Sequence, residues 1–184
     1  KLKDSYLEDM RRDTATYAGT KKLVELNLYK CKVNTSIIRT SWVYGTGLYK
    51  PHRNFTTKVI ETLLIDQPFY PLVCSTSKPT PVTALCENVY NQWLRETKES
   101  TLDFCTIHHC VGPTIHSRYS WAMYIARQLE KRYGNDYSFL VLYDLNKSKL
   151  GAVTTLSEKK GSLITHLDIN NELDDLITQV RYTI

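Results

Sequence analysis

The stretch TSIIRTSWVYGTG, residues 35–47, decides how the rest of the chain is read. Thr35 to Tyr44 is a run of β-branched and aromatic residues without Gly or Pro, and it stops at Gly45-Thr46-Gly47. That composition predicts a buried strand emptying into a loop. A buried strand needs covering layers, and helical patterns stand on both sides of it.

Upstream, residues 16–30 place Tyr17, Lys21, Val24 and Leu28 along one helical stripe, with Leu23 and Leu26 beside it. Downstream, Asn54 is a suitable N-cap for FTTKVIETLLI, whose Phe55, Val59, Ile60, Leu63 and Leu64 follow the helical period. Pro68 and Pro71 end that helix, and PLVCSTSKPTPV reads as extended chain. Thr83 is placed to cap a third helix carrying Leu85, Val89, Trp93 and Leu94.

LDFCTIHHCVG then predicts a second buried strand, closed by Gly112-Pro113. SRYSWAMYIARQLEKRYG predicts a helix with Trp121, Ala122, Ile125, Ala126 and Leu129 facing inward and Gly134 at its C-terminus. YSFLVLY reads as a third strand; beyond Leu150 the pattern weakens to one short amphipathic helix near NELDDLITQV. Helices alternating with strands predict an α/β fold with a parallel sheet. So few strands leave open edges, so the sheet is expected to continue in an upstream half or in another chain.

The chain has 184 residues and a net charge of +5 from 24 basic and 19 acidic residues, interspersed rather than clustered. A nucleic-acid groove asks for a denser basic stripe, so nucleic acid is not the expected partner. No stretch reaches the roughly 18 apolar residues of a membrane span. The five cysteines, Cys31, Cys74, Cys86, Cys105 and Cys110, are scattered and odd in number, which suits reduced thiols and a soluble, cytoplasmic chain. CTIHHC invites a metal reading, but adjacent histidines on a strand point to opposite faces and no second ligand pair follows, so a plain strand is expected. The chain opens on Lys1 in KLKDSYLEDMRR, which suggests a piece of something longer.

Tyr17 and Lys21 are four apart at the head of a helix, the spacing that places a cation over a phenol one turn away. With 13 tyrosines in the chain, about one such pair arises by chance, and Tyr143 with Lys147 matches as well. Context separates the two pairs. Tyr17-x-x-x-Lys21 is followed by RTSWVYG with Trp42 25 residues after Tyr17, then by Asn54-Phe55, SKPT, and IHHCVG leading into SRYSWAMYIA.

That order resembles the extended short-chain dehydrogenase/reductase family, nearest to dTDP-4-dehydrorhamnose reductases and the NAD-dependent epimerase-dehydratases. It covers about Tyr6 to Gly134. The resemblance implies an incomplete Rossmann-like parallel sheet plus a small α/β substrate-binding region. Residues 1–50 would end the nucleotide-binding domain, and residues 51–184 would form the substrate-binding region, interleaved with the last Rossmann strand and helix. It further implies NADP or NAD as cofactor, a nucleotide sugar as substrate, and 4-keto sugar reduction or epimerisation as reaction. Tyr17 would be the general acid. Lys21 would tune it, since a nearby ammonium favours the phenolate of a group that otherwise titrates near 10, and would also bind the nicotinamide ribose. Ser41 is implied as a cofactor contact, and Trp42 and Asn54 as substrate contacts. Trp42 reads equally well as core, Asn54 is a cap in either case, and Arg39 and Tyr44 flank the same loop as possible phosphate or cofactor contacts.

None of the seven glycines, Gly19, Gly45, Gly47, Gly112, Gly134, Gly151 and Gly161, forms the glycine-rich turn that a dinucleotide pyrophosphate requires. In the family that turn lies upstream of the Tyr-Lys pair, so this chain alone is expected to bind no cofactor and turn over no substrate. Ala84 also stands where relatives carry an acidic residue. A non-catalytic scaffold, like the regulatory subunit of methionine adenosyltransferase, is the alternative.

Overall fold

The computed structural model describes residues 17–31, 34–47, 53–71, 76–98, 105–143, 164 and 166–184. In chain order its elements are α1 (Tyr17–Lys30), β1 (Thr35–Arg39), β2 (Val43–Tyr44), α2 (Phe55–Leu64), β3 (Thr76–Ser77), β4 (Thr80–Pro81), α3 (Val82–Lys98), β5 (Cys105–His109), β6 (His116–Ser117), α4 (Arg118–Tyr133), a 3-10 turn (Ser138–Leu140) and α5 (His166–Arg181). The fold is α/β. Its strands form three two-stranded pieces: β1 with β5, β2 with β4, and β3 with β6. The β2–β4 pair is parallel, with Val43 opposite Thr80 and Tyr44 opposite Pro81. The β3–β6 pair is antiparallel. The opening segment SYLEDMRRDTAT, Cys74, Lys147 and the stretch 144–163 lie outside the described residues.

Two compact units share the chain, one made of residues 1–38 and 94–108, the other of residues 39–93 and 109–184. In the first, the Thr106 hydroxyl on β5 donates to Glu96 near the end of α3 at 3.1 Å and is hydrogen-bonded to the Ser36 hydroxyl on β1 at 3.3 Å. His108 lies 3.6 Å from the same Glu96 carboxylate. CTIHH is therefore a strand with polar partners beside it. The apolar stripe of α1 faces outward, with Val24 50% exposed and Leu23 41%, so its helical period marks a face that the described residues leave open.

The second unit holds the core. Val59, Ile60 and Leu63 from α2, Trp121, Ile125 and Leu129 from α4, and Leu173, Leu176, Ile177 and Val180 from α5 are all at or below 1% exposure. Each such side chain contributes roughly 1.5–3 kcal/mol by leaving water. Trp121 anchors the cluster: its indole N–H donates to Thr56 Oγ1 at 3.0 Å, and its ring stacks on Tyr124 with a 9° interplanar angle. The expected caps are present. Asn54 Oδ1 accepts from Thr57 N at 3.0 Å to start α2, and Gly134 closes α4 with φ +79°.

Four local expectations are corrected. Residues 35–44 are not one strand: the chain breaks after Arg39 and re-forms as β2, with Trp42 between them at φ 40°. YSFLVLY is not a strand either. Asp136 Oδ1 accepts from Ser138 N at 2.7 Å, and this short-range bond winds residues 138–140 into a 3-10 turn; the Ser138 hydroxyl first, and then this N–H, hold the Asp136 carboxyl below its ordinary pKa. Only Val141 bridges, parallel to Phe69. Thr83 is not the cap of α3, because the helix already begins at Val82 and a carboxylate from α5 reaches Thr83. Finally, α5 is a 16-residue helix rather than a short one, and it supplies much of the core.

Candidate functional site

In the first unit, the helical register of α1 delivers the spacing read from the sequence. Lys21 Nζ lies 5.4 Å from the Tyr17 ring centroid, a cation–π distance. Tyr17 is 80% exposed. A phenol and an ammonium one turn apart on an open helix face can hold a proton and stabilise the anion left when it departs.

The second unit places Ser41, Trp42 and Asn54. Ser41 Oγ is hydrogen-bonded to Ser77 Oγ, and its carbonyl accepts from Thr80 Oγ1 at 2.5 Å. Thr80 N donates to the Trp42 carbonyl at 3.1 Å, and Gly112 N donates to Thr80 Oγ1 at 3.3 Å. Thr80 thus ties the 41–42 backbone to the segment after β5. A Cβ on Gly112 would stand 1.9 Å from the Pro79 carbonyl oxygen, so only glycine allows this approach.

The clamp fixes Trp42 in the left-handed region at φ 40°. For a bulky residue this costs on the order of 1–3 kcal/mol and persists only where neighbours over-determine it. Its ring is half-buried, 6.0 Å from Phe55 and 5.9 Å from the Arg118 guanidinium carbon. Arg118 also lies 5.3 Å from the Phe55 centroid, so one cation covers two rings. Asn54 Oδ1 is committed to capping α2, leaving its amide nitrogen as the group free of that cap.

Tyr44 is core rather than a ligand contact. It is 1% exposed and donates to the Ile169 carbonyl at 3.0 Å. Burial, helped by Glu172, Tyr124 and Asp168, pushes its hydroxyl far above the ordinary phenol pKa, so it stays neutral. The loop after it is held by α5: Glu172 Oε1 accepts from Thr46 N at 3.0 Å, and Gln179 Oε1 accepts from Gly47 N at 2.9 Å.

Sequence reasoning missed Arg118, Thr80, Glu172 and Gln179. Arg118 read only as part of the SRYSW stretch, and nothing local links it to a tryptophan so distant in sequence. Nothing local links Glu172 to Thr46 and Thr83, which lie 126 and 89 residues away. Among the described residues no group of His, Cys, Asp and Glu is arranged to hold a metal ion. No helix there is long and apolar enough to cross a membrane.

The family model of the RmlD substrate binding domain matches residues 3–155. A comparison with curated proteins finds no match. Among solved structures, UDP-glucuronic acid 4-epimerase from Bacillus cereus, in complex with UDP-glucuronic acid and NAD, is similar with a TM-score of 0.64 and 16% identity over 91% of this chain and 51% of that one. dTDP-4-dehydrorhamnose reductase from Yersinia enterocolitica gives a TM-score of 0.53 and 15% identity over 77% of this chain and 49% of that one. MoeE5 in complex with UDP-glucose and NAD gives 0.56 and 14%, over 80% and 47%. The chain spans about half the length of these structures. At such identities the likeness is one of fold.

Proposed function

The chain belongs to the family of the RmlD substrate binding domain, and we propose that it carries the tyrosine–lysine side of the active site of an NAD(P)-dependent nucleotide-sugar oxidoreductase. The reaction favoured is reduction of a 4-keto nucleotide sugar, as in dTDP-4-dehydrorhamnose reductases, with epimerisation the close variant. The observation that carries this reading is the exposed Tyr17 with the Lys21 ammonium 5.4 Å from its ring.

The residues present fit one end of a nicotinamide cofactor and not the other. An open phenol and ammonium suit the ribose and the reacting carbonyl. The glycine turn for the pyrophosphate is not formed by any of the seven glycines of this sequence. When bound, the cofactor supplies hydride to the carbonyl carbon. The chain's own part is the proton: Tyr17 Oη gives it to the carbonyl oxygen, and Lys21 stabilises the phenolate that remains. Trp42 offers an indole for a sugar or base to lie against, and the Asn54 amide nitrogen can donate to a substrate hydroxyl. Ser41 would reach a cofactor with the hydrogen-bonding capacity that its bond to Ser77 leaves over.

This chain alone is expected to bind no dinucleotide and show no turnover; an upstream nucleotide-binding half added back should restore both. In that reconstituted protein, Tyr17→Phe should lower NADPH-dependent reduction of a dTDP-4-keto sugar by about 10²–10⁴-fold with substrate affinity kept. Clear micromolar NADPH binding to the chain alone, or full activity in the Tyr17→Phe protein, would refute the reading. The internal use of Ser41 and of the Asn54 oxygen favours, as second reading, a non-catalytic scaffold. That alternative requires Tyr17→Phe to leave the biological role unchanged.

A further inference from the structure

Arg118 is placed as few structural arginines are. Its guanidinium carbon lies 5.3 Å from the Phe55 centroid and 5.9 Å from that of Trp42. Its Nε is buried and has no hydrogen-bond partner among the described residues. Buried donors are nearly always matched, so an unmatched Nε on a guanidinium beside two rings marks a group suited to an oxyanion from outside these residues.

A second observation concerns the floor beneath it. Trp42 is held at φ 40° by the bonds from Thr80 to the carbonyls of Ser41 and Trp42. Without that strained turn the indole would continue the alternation of a strand and would not be set beside Phe55, 6.0 Å away. Phe55 in turn is fixed as the first residue of α2 by the Asn54 cap. Three elements distant in sequence thus converge to hold one cation over two rings.

We propose that Arg118, backed by Trp42 and Phe55, is an oxyanion-reading subsite and a specificity-determining residue. The guanidinium takes a diphosphate or a sugar carboxylate while the adjoining ring of the ligand lies against the indole. In naming the ligand's owner as a nucleotide sugar it rests on the proposed function; the anion recognition itself does not.

The test is calorimetric titration of the full 184-residue chain, without cofactor, using inorganic pyrophosphate, glucuronate and neutral uridine as probes. Binding of pyrophosphate or of glucuronate is expected, weakening with salt, and the tighter of the two identifies the source of the oxyanion. Arg118→Gln should weaken that probe at least tenfold and leave uridine unchanged. Should Arg118→Gln fail to fold, Arg118→Lys keeps the charge and stem and should weaken the probe at least threefold. Binding of neither anion to the wild type, or unchanged affinity in the folded variant, would overturn the proposal. Anion affinity independent of Arg118 alongside Tyr17-dependent turnover sinks this inference alone. Arg118-dependent affinity in a reconstituted protein without turnover sinks only the reductase reading.

Discussion

Replacing Glu172 by glutamine should destabilise the chain by about 3 kcal/mol, a value that follows from counting acceptors. The carboxylate is 3% exposed. Oε1 accepts from Thr46 N at 3.0 Å, and Oε2 accepts from Thr83 N at 3.4 Å and from the Thr83 hydroxyl. One side chain therefore joins the loop after β2 to the first turn of α3, 89 residues away from Thr83 in sequence. Glutamine has the same shape but only one acceptor. Turned either way, its NH2 faces a backbone N–H. The better orientation points the NH2 at Thr83, whose hydroxyl can rotate to accept, and leaves Thr83 N unmatched. A lost charge-assisted bond costs about 1.5–3 kcal/mol, and an unmatched buried donor adds roughly 1 or more. Removing a negative charge from a helix N-terminus contributes a further ~0.3–1 kcal/mol. Urea unfolding followed by the fluorescence of buried Trp121 reads the loss directly. In a chain of this size it corresponds to a fall of roughly 6–12 °C in Tm. A change below about 1 kcal/mol would show that the two N–H groups find other acceptors and that Glu172 does not hold the loop.

Two glycines should respond to the same substitution by different amounts. Gly45→Ala places a Cβ 2.2 Å from Glu172 Oε1 and 2.2 Å from Val82 Cγ1 at φ +155°, and should cost about 3 kcal/mol or more in urea unfolding. Gly134→Ala meets nothing within 4 Å and should cost only the left-handed penalty at φ +79°, about 1–2 kcal/mol; equal losses would refute the distinction. Asn54→Ala should cost about 1 kcal/mol through loss of the α2 cap, with Asn54→Asp near neutral by the same measurement. Stability should also fall in alkali. Burial raises the pKa of Tyr44, Tyr124 and Cys110, the two phenols being raised further by neighbouring carboxylates, so the folded state keeps neutral groups that the unfolded chain ionises. Their contribution is complete below about pH 8.5 and is lost as pH rises through the ordinary thiol and phenol range. The urea midpoint should therefore drop between neutral pH and about pH 11, less steeply in Tyr44→Phe; a flat profile would contradict it.

The sequence alone determined what short-range chemistry controls. The periods of α2 and α4 predicted Val59, Ile60, Leu63, Trp121, Ile125 and Leu129 as core, and all are buried. Asn54 and Gly134 announced their caps. The motif order around RTSWVYG pointed to the family whose model matches residues 3–155, and the four-residue spacing put Lys21 beside Tyr17. Each of these depends on residues within a turn or two of one another.

Only the tertiary structure decided the rest. RTSWVY has the composition of an unbroken strand, yet Thr80 captures two carbonyls and turns Trp42 into the left-handed region. YSFLVLY has strand propensity, yet Asp136 offers its backbone a nearer partner. Tyr44 is a tempting ligand group in sequence, but its hydroxyl is used up by the Ile169 carbonyl. The carboxylate that holds Thr46 and Thr83 arrives from Glu172, and the cation facing Trp42 arrives from Arg118. These are pairings across the fold, where the partner is chosen by which elements pack together. Periodicity and propensity carry no information about that choice.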